Sequence, residues 1–152
     1  MRIYLDTCCY NRRFDENIPD DLIPEKLAMY KVQKLIVHKN IQLVTSFMLH
    51  YEILHIKNLK QRESIEMFVR INRKMYVGVE FIDILDKKVE NIIKSGIKHK
   101  DAYHIASAIF TECDYFLTFD KKILKYNSDK MIILNPVDFV KLLEVDENDW
   151  RL

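Results

Sequence analysis

Short apolar runs alternate with longer stretches of helical periodicity along most of the chain. Ile3 to Leu5 is the first strand candidate, closed at once by Asp6. Pro24 suits the first position of a helix, and Leu27, Ala28, Lys31, Leu35 and Ile36 continue it with mostly helical spacing. Ile41 to Thr45 reads as a second strand, after which the Ser46 hydroxyl is placed to cap a helix running to about Leu59. A further helix is expected from Arg62 to Lys74, and the β-branched run Val77 to Ile82 reads as a third strand. Asp83 is the expected cap of the next helix, with Gly96 suited to the left-handed position past its end. Asp101 to Cys113 is helical, Tyr115 to Thr118 and Met131 to Leu134 are short strands, and Pro136 to Leu143 closes the pattern as a helix.

Strands alternating with helices call for right-handed crossovers, so the expected fold is α/β, a three-layer α/β/α sandwich on a mostly parallel central sheet. Gly78 and Gly96 are the only glycines, and no linker or repeat divides the chain. The expectation is one domain over residues 1–144, followed by an acidic C-terminal tail, 145–152, that contains Trp150.

Composition narrows the class. At 49% hydrophobic and 31% charged residues, the chain has the balance of a globular domain, which at this length buries about 70% of its unfolded surface. No apolar stretch approaches the roughly 20 residues of a membrane span, and the opening Met-Arg-Ile-Tyr-Leu-Asp has no signal-peptide pattern. The expected location is cytoplasmic, away from any membrane. Cys8, Cys9 and Cys113 are odd in number and lack the spacing of a zinc or redox motif, so reduced thiols are expected. A net charge of +1 argues against a non-specific nucleic-acid coat. It leaves room for a nuclease, in which basic patches around an acidic centre cancel in the sum.

The acids carry the chemistry. In a parallel sheet, functional groups collect beyond the carboxyl ends of the strands. Asp6 follows the first strand, Asp120 follows the Tyr115 to Thr118 strand, Asp101 opens a helix, and Glu52 sits in the second turn of the helix that Ser46 starts. Asp101 and Asp120 also suit ordinary helix starts, and Glu52 suits a solvated helix position. If the four converge, they repel one another unless a divalent cation intervenes. Oxygen-only ligation then favours Mg²⁺ or Mn²⁺, ions suited to phosphodiester hydrolysis.

The segments IYLDTCCYNR, VTSFMLHYE ending in Glu52, KHKDAYHIASA around Asp101 and DYFLTFDKKIL around Asp120 together resemble the PIN-domain family of VapC-like ribonucleases, in order and separation, from Arg2 to about Leu143. The resemblance implies a Mg²⁺- or Mn²⁺-dependent endoribonuclease with Asp6, Glu52, Asp101 and Asp120 on the acidic positions and Thr118 on a polar position beside them. It also implies a homodimer and, for many bacterial members, the toxin half of a toxin–antitoxin pair held by a small antitoxin protein. Lys121 and Lys122 stand where many such toxins carry another acid, which bears on a second metal, and the stretch Arg12 to Pro24 is longer than in compact toxins.

On this assignment Asp6, Asp101 and Asp120 hold one metal, while Glu52 serves a second ion or orients water. Arg12, Arg13, Thr118 and Lys121 are the candidates for contact with an RNA substrate, the arginines by pairing with phosphate. Lys98, His99, Lys100, Lys122 and Lys125 extend a possible basic rim. For His104 a structural hydrogen bond is the expected role. Tyr10, Tyr51 and Tyr103 are divided between base stacking and packing. Met67, Phe68 and Ile71 are apolar positions for a dimer or antitoxin contact, or for the core. The rival reading is a catalytically silent fold relative that binds RNA or protein.

Overall fold

A computed structural model of the chain describes residues 1–38 and 41–149; Trp150, assigned above to the acidic tail, lies outside the described residues. Five strands, β1 (Arg2–Leu5), β2 (Gln42–Ser46), β3 (Arg73–Val77), β4 (Tyr115–Leu117) and β5 (Ile132–Leu134), form one sheet in the order β3-β2-β1-β4-β5. Every neighbouring pair is parallel. The helices are α1 (Thr7–Arg12), α2 (Ile23–His38), α3 (Phe47–Leu54), α4 (Leu59–Asn72), α5 (Ile82–Lys94), α6 (His99–Phe110), α7 (Lys121–Leu124) and α8 (Pro136–Asp149). Among the described residues no helix is long and apolar enough to cross a membrane.

The two-residue period of the strands sorts the core into two layers. Ile3, Leu5, Leu43 and Leu117 point to one face, against Cys9 and Tyr10 of α1, Met29 and Val32 of α2, Leu49 of α3, Ile65 of α4 and Phe139 of α8. Tyr4, Val44, Val77 and Phe116 point to the other, against Leu85 and Val89 of α5, Ile105 and Ala106 of α6, and Ile123 of α7. Both faces being covered explains why these strands read as apolar runs and not as alternation. The expected three-layer α/β/α sandwich is what the chain forms.

Four local expectations need correction. The third strand is Arg73–Val77, not Val77 to Ile82. Pairing decides this: Met75, Tyr76 and Val77 stand opposite Val44, Thr45 and Ser46 of β2. Beyond Gly78 the β-branched residues find no partner, Val79–Phe81 forms a 3-10 turn, and Val79 is left exposed. The helix that Ser46 caps stops at Leu54, short of Leu59; the side chain of Asn58 then accepts from the backbone N–H of Gln61 and starts α4 afresh. Asp83 lies in the first turn of α5 and is not its cap, a position held by Phe81. Gly96, at φ 94°, does take the left-handed position past α5. The last helix runs on to Asp149, past the expected Leu143.

The strand order places the functional end. The chain steps outward from β1 to β2 to β3, then returns to lay β4 on the other side of β1. Crossovers on the two sides of β1 diverge, and a crevice opens at the carboxyl ends of β1 and β4.

Candidate active site

Asp6 ends β1, and its backbone N–H donates to the Leu117 carbonyl at 3.0 Å, the last rung between β1 and β4. Its side chain is turned back on the structure around it. Oδ1 accepts from the backbone N–H of Thr7 at 2.8 Å and so caps α1, while Oδ2 accepts from the Thr118 hydroxyl at 2.8 Å. Thr118 in turn accepts from the Asp120 backbone N–H at 3.0 Å, so one buried hydroxyl ties the two acids together. Asp120 caps α7 through Oδ1, which accepts from the N–H groups of Lys122 and Ile123.

Glu52 projects from the second turn of α3. Its Oε1 accepts from the Thr7 hydroxyl at 2.9 Å and meets His104 Nε2. Burial alone would raise the Glu52 carboxyl, but His104, Thr7 and Lys100 outweigh it and hold it below the ordinary glutamate range. For His104, burial disfavours the cation, yet Glu52, with Asp6 and Asp101 near it, raises the imidazole above its usual value. The two partners therefore shift in opposite directions for one shared reason, their mutual contact.

Asp101 lies in the first turn of α6. Its carboxyl is pushed up to about 6, first by burial and then by the Asp6 charge, with Asp120 and Glu52 adding to it against the opposing His104. The four acids thus share one electrostatic field. All four line one cavity of about 420 Å³. A larger hollow, about 570 Å³, lies around Asp114, Ser128 and Lys130 and contains none of them. Size is a poorer guide here than the clustering of the acids.

The donors suit an oxygen-preferring cation. However, no group of three or more His, Cys, Asp and Glu side chains among the described residues is placed to hold a metal ion by itself.

The remaining candidates divide. Arg12 lines the cavity, held by Asp15 at 3.1 Å and Glu25 at 3.4 Å with its guanidinium 5.0 Å over the Phe119 ring. Arg13 turns away: it donates to Gln33 at 2.8 Å and stacks on Phe14 and Tyr30. Thr118 is fully buried, with its hydroxyl donating to Asp6. Lys121 is exposed at the start of α7, outside the cavity lining. Tyr10 is buried in the core, Tyr103 is buried with its hydroxyl 2.5 Å from Asp86, and Tyr51 is exposed under the Lys100 ammonium. The three cysteines are free thiols; Cys9 and Cys113 are buried, and Cys8 reaches the cavity wall.

Thr7, Asn11 and Phe119 also line the cavity and were not singled out in the sequence. Thr7 and Asn11 lie one turn apart on α1, a helix too short to show a period. Their position after Asp6 was the one available signal.

Two expected outcomes arise here. Thr118→Val removes the hydroxyl that Asp6 and Asp120 share, and should lower cleavage about tenfold, as loss of a supporting hydrogen bond to a site residue does. Wild-type rates in a folded Thr118→Val variant would remove Thr118 from the site. Asp101 carries a stability cost whose sign is set by its raised value. Unfolded, it titrates near 3.8; folded, near 6. The native state holds the proton more tightly, so stability falls as pH rises between those values and stays lowered above them. Asp101→Asn should therefore raise stability at neutral pH in EDTA by about 1 kcal/mol after allowance for solvent screening, read as a higher melting temperature. It should leave stability unchanged near pH 3. A melt that is no higher at neutral pH would contradict the shared field.

No protein-family model matches the sequence, and no curated protein matches it. Among solved structures, the chain is similar to one in the crystal structure of VapBC2 from Rickettsia felis bound to a DNA fragment from their promoter. The TM-score is 0.60 at 17% identity, with 89% of this chain and 98% of that chain covered. An overlap so complete at so low an identity speaks for the backbone arrangement, and the chain has a PIN-like fold, an α/β/α sandwich on an all-parallel sheet.

Proposed function

We propose that the chain is a metal-dependent endoribonuclease acting through Asp6, Glu52, Asp101 and Asp120. The observation that carries the reading is the meeting of four carboxylates, from four separate elements, on one cavity at the β1/β4 crevice. A purely binding surface for a polyanion gains nothing from clustered negative charge. A hydrolytic site does, because the same charges hold a cation against the phosphate.

Asp6, Asp101 and Asp120 would hold Mg²⁺ or Mn²⁺, with Glu52 beside them. When bound, such an ion polarises the phosphate and eases ionisation of the attacking water. The chain's own groups do the rest. Arg12, stacked on Phe119, presents a cation to the substrate phosphate from the cavity wall. Glu52 has Oε1 committed to Thr7 and His104, which leaves Oε2 to orient water. Water oxygen bonds to phosphorus as the bond to the ester oxygen breaks; the water proton passes to the surrounding carboxylates, and the departing oxygen takes up a proton from solvent to leave as an alcohol.

RNA as substrate rests on the family resemblance of the four acidic segments. The same resemblance, with the VapBC2 neighbour, supports a toxin role with a small antitoxin partner, in the cytoplasm. Met67 and Ile71 are exposed on α4 and remain available for an antitoxin or a second copy in a homodimer, whereas Phe68 packs on the core.

The test is cleavage of a mixed single-stranded RNA pool in EDTA, Mg²⁺ or Mn²⁺. Cleavage should require the metal and return when EDTA is titrated out. Metal-independent cleavage would overturn the mechanism; RNA binding without cleavage by folded protein, over several RNA classes, would select the silent-module reading.

A further inference from the structure

We infer that Tyr4 and Ser46 are positioning residues that act through His104 to hold Glu52, an inference that rests on the nuclease reading above. Ser46, Tyr4 and His104 are each fully buried. They form one continuous chain. The Leu49 backbone N–H donates to Ser46 Oγ at 3.2 Å, the Ser46 and Tyr4 hydroxyls stand 2.6 Å apart, Tyr4 Oη is 2.6 Å from His104 Nδ1, and His104 Nε2 meets Glu52 Oε1. The chain joins β1, the end of β2, α6 and α3. Of its side chains only Glu52 lines the cavity.

Buried polar groups are stable when every donor has an acceptor, and that requirement gives the chain a direction. Ser46 Oγ accepts from Leu49 and has the Tyr4 oxygen beside it as the acceptor for its own proton. The Tyr4 proton then goes to His104 Nδ1, and a neutral ring must carry its proton on Nε2, facing Glu52. A ring that gains a second proton still donates from Nε2. The one arrangement excluded is the neutral ring protonated at Nδ1, which would set the Nε2 lone pair against a carboxylate oxygen. Glu52 and Tyr4 thus require the same tautomer from the two sides of the ring, and Tyr4 holds the ring in the orientation that commits one Glu52 oxygen.

Packing alone does not require these hydroxyls. The Tyr4 ring lies flat on Phe116, with centroids 5.3 Å apart and planes within 5°. Phenylalanine would fill the same space. What the hydroxyl adds is a proton at Nδ1, and supporting groups of this kind typically change activity about 10- to 100-fold.

The experiment compares wild type with Tyr4→Phe, His104→Gln and His104→Asn, each checked for folding by circular dichroism. Tyr4→Phe should lower kcat for RNA about tenfold with KM unchanged. Nitrogen-15 NMR of the His104 ring should show the neutral ring protonated at Nε2 with Nδ1 accepting a hydrogen bond in wild type, and an Nδ1 signal shifted to that of an unbonded nitrogen in Tyr4→Phe. Glutamine places an amide near the Nε2 position and should retain more activity than asparagine, which is too short to reach Glu52. Wild-type kcat in Tyr4→Phe, or a neutral wild-type ring protonated at Nδ1, would overturn the inference. If wild type cleaves no RNA, the nuclease reading fails separately, and the NMR comparison still decides the chain: an Nδ1 hydrogen bond lost in Tyr4→Phe supports it, and a neutral wild-type ring protonated at Nδ1 refutes it.

Discussion

Asp6→Asn should reduce RNA cleavage by about 10³-fold or more while leaving the fold intact, because it removes the charge most central to the site. Asparagine keeps an oxygen for the Thr7 backbone N–H that Asp6 now caps. Its amide can replace one oxygen but cannot accept the Thr118 hydroxyl where a nitrogen now sits. The melting temperature should therefore change little, as one supporting hydrogen bond contributes about 1 kcal/mol and the lost repulsion with Asp101 offsets part of it. Cleavage and thermal melts on the same preparation make the check. A folded Asp6→Asn protein that cleaves at the wild-type rate would move the chemistry away from β1 and out of this cavity.

His104→Ala should be the most destabilising of the site substitutions, by about 3 kcal/mol, because it strips a buried partner from groups on both sides. Tyr4 would lose the acceptor of its hydroxyl, and Glu52 would keep only Thr7 and the Lys100 charge to stabilise it. A void would open between β1 and α3. The penalty should also depend on pH. Glu52 is held below its ordinary value of 4.5, so its contribution is present above that pH and lost as pH falls. His104 is raised above 6.5, so its contribution is fully present below that pH and lost as pH rises through the folded value. Both are present in the window between, and the difference in melting temperature between wild type and His104→Ala should be larger near pH 6 than near pH 9. An equal difference at the two pH values would mean that the contact carries no net charge interaction. The variant's inactivity alone would then be a folding effect.

These two residues mark how far the site was legible beforehand. Asp6 could be read because a charge closing a buried strand has no packing reason to be there. Asp101 and Asp120 stood out as candidates from their places at helix starts, and Glu52 from its place in the second turn after a cap. His104 was read as a hydrogen-bonding residue, which it is, but its partners were hidden. Glu52 is 52 residues away and Tyr4 is 100 residues away, on a strand where an aromatic residue looks like core. Arg12 and Arg13 looked equivalent in sequence. Only the turn of α1 separates them, sending one to Phe119 at the cavity and the other to Gln33 and Tyr30.

What the sequence determined by itself is what depends on neighbours a few residues apart. Short apolar runs made β1, β2, β4 and β5 recognisable, the Ser46 hydroxyl marked the start of α3, and Gly96 marked the end of α5. These are backbone hydrogen-bond and dihedral requirements, satisfied locally whatever surrounds them. The tertiary structure decided what depends on pairing. It drew Arg73–Val77 into the sheet in place of the more β-prone run after it, because β2 offers its edge to those residues. It ended α3 at Leu54 so that α4 could begin at Leu59, and it left an exposed Val79 where a strand was expected. It also gathered four acids at the crevice beside β1 and buried the Thr118 hydroxyl that holds Asp6. Such contacts join residues far apart in the chain, and their free energy exists only once the sheet has assembled.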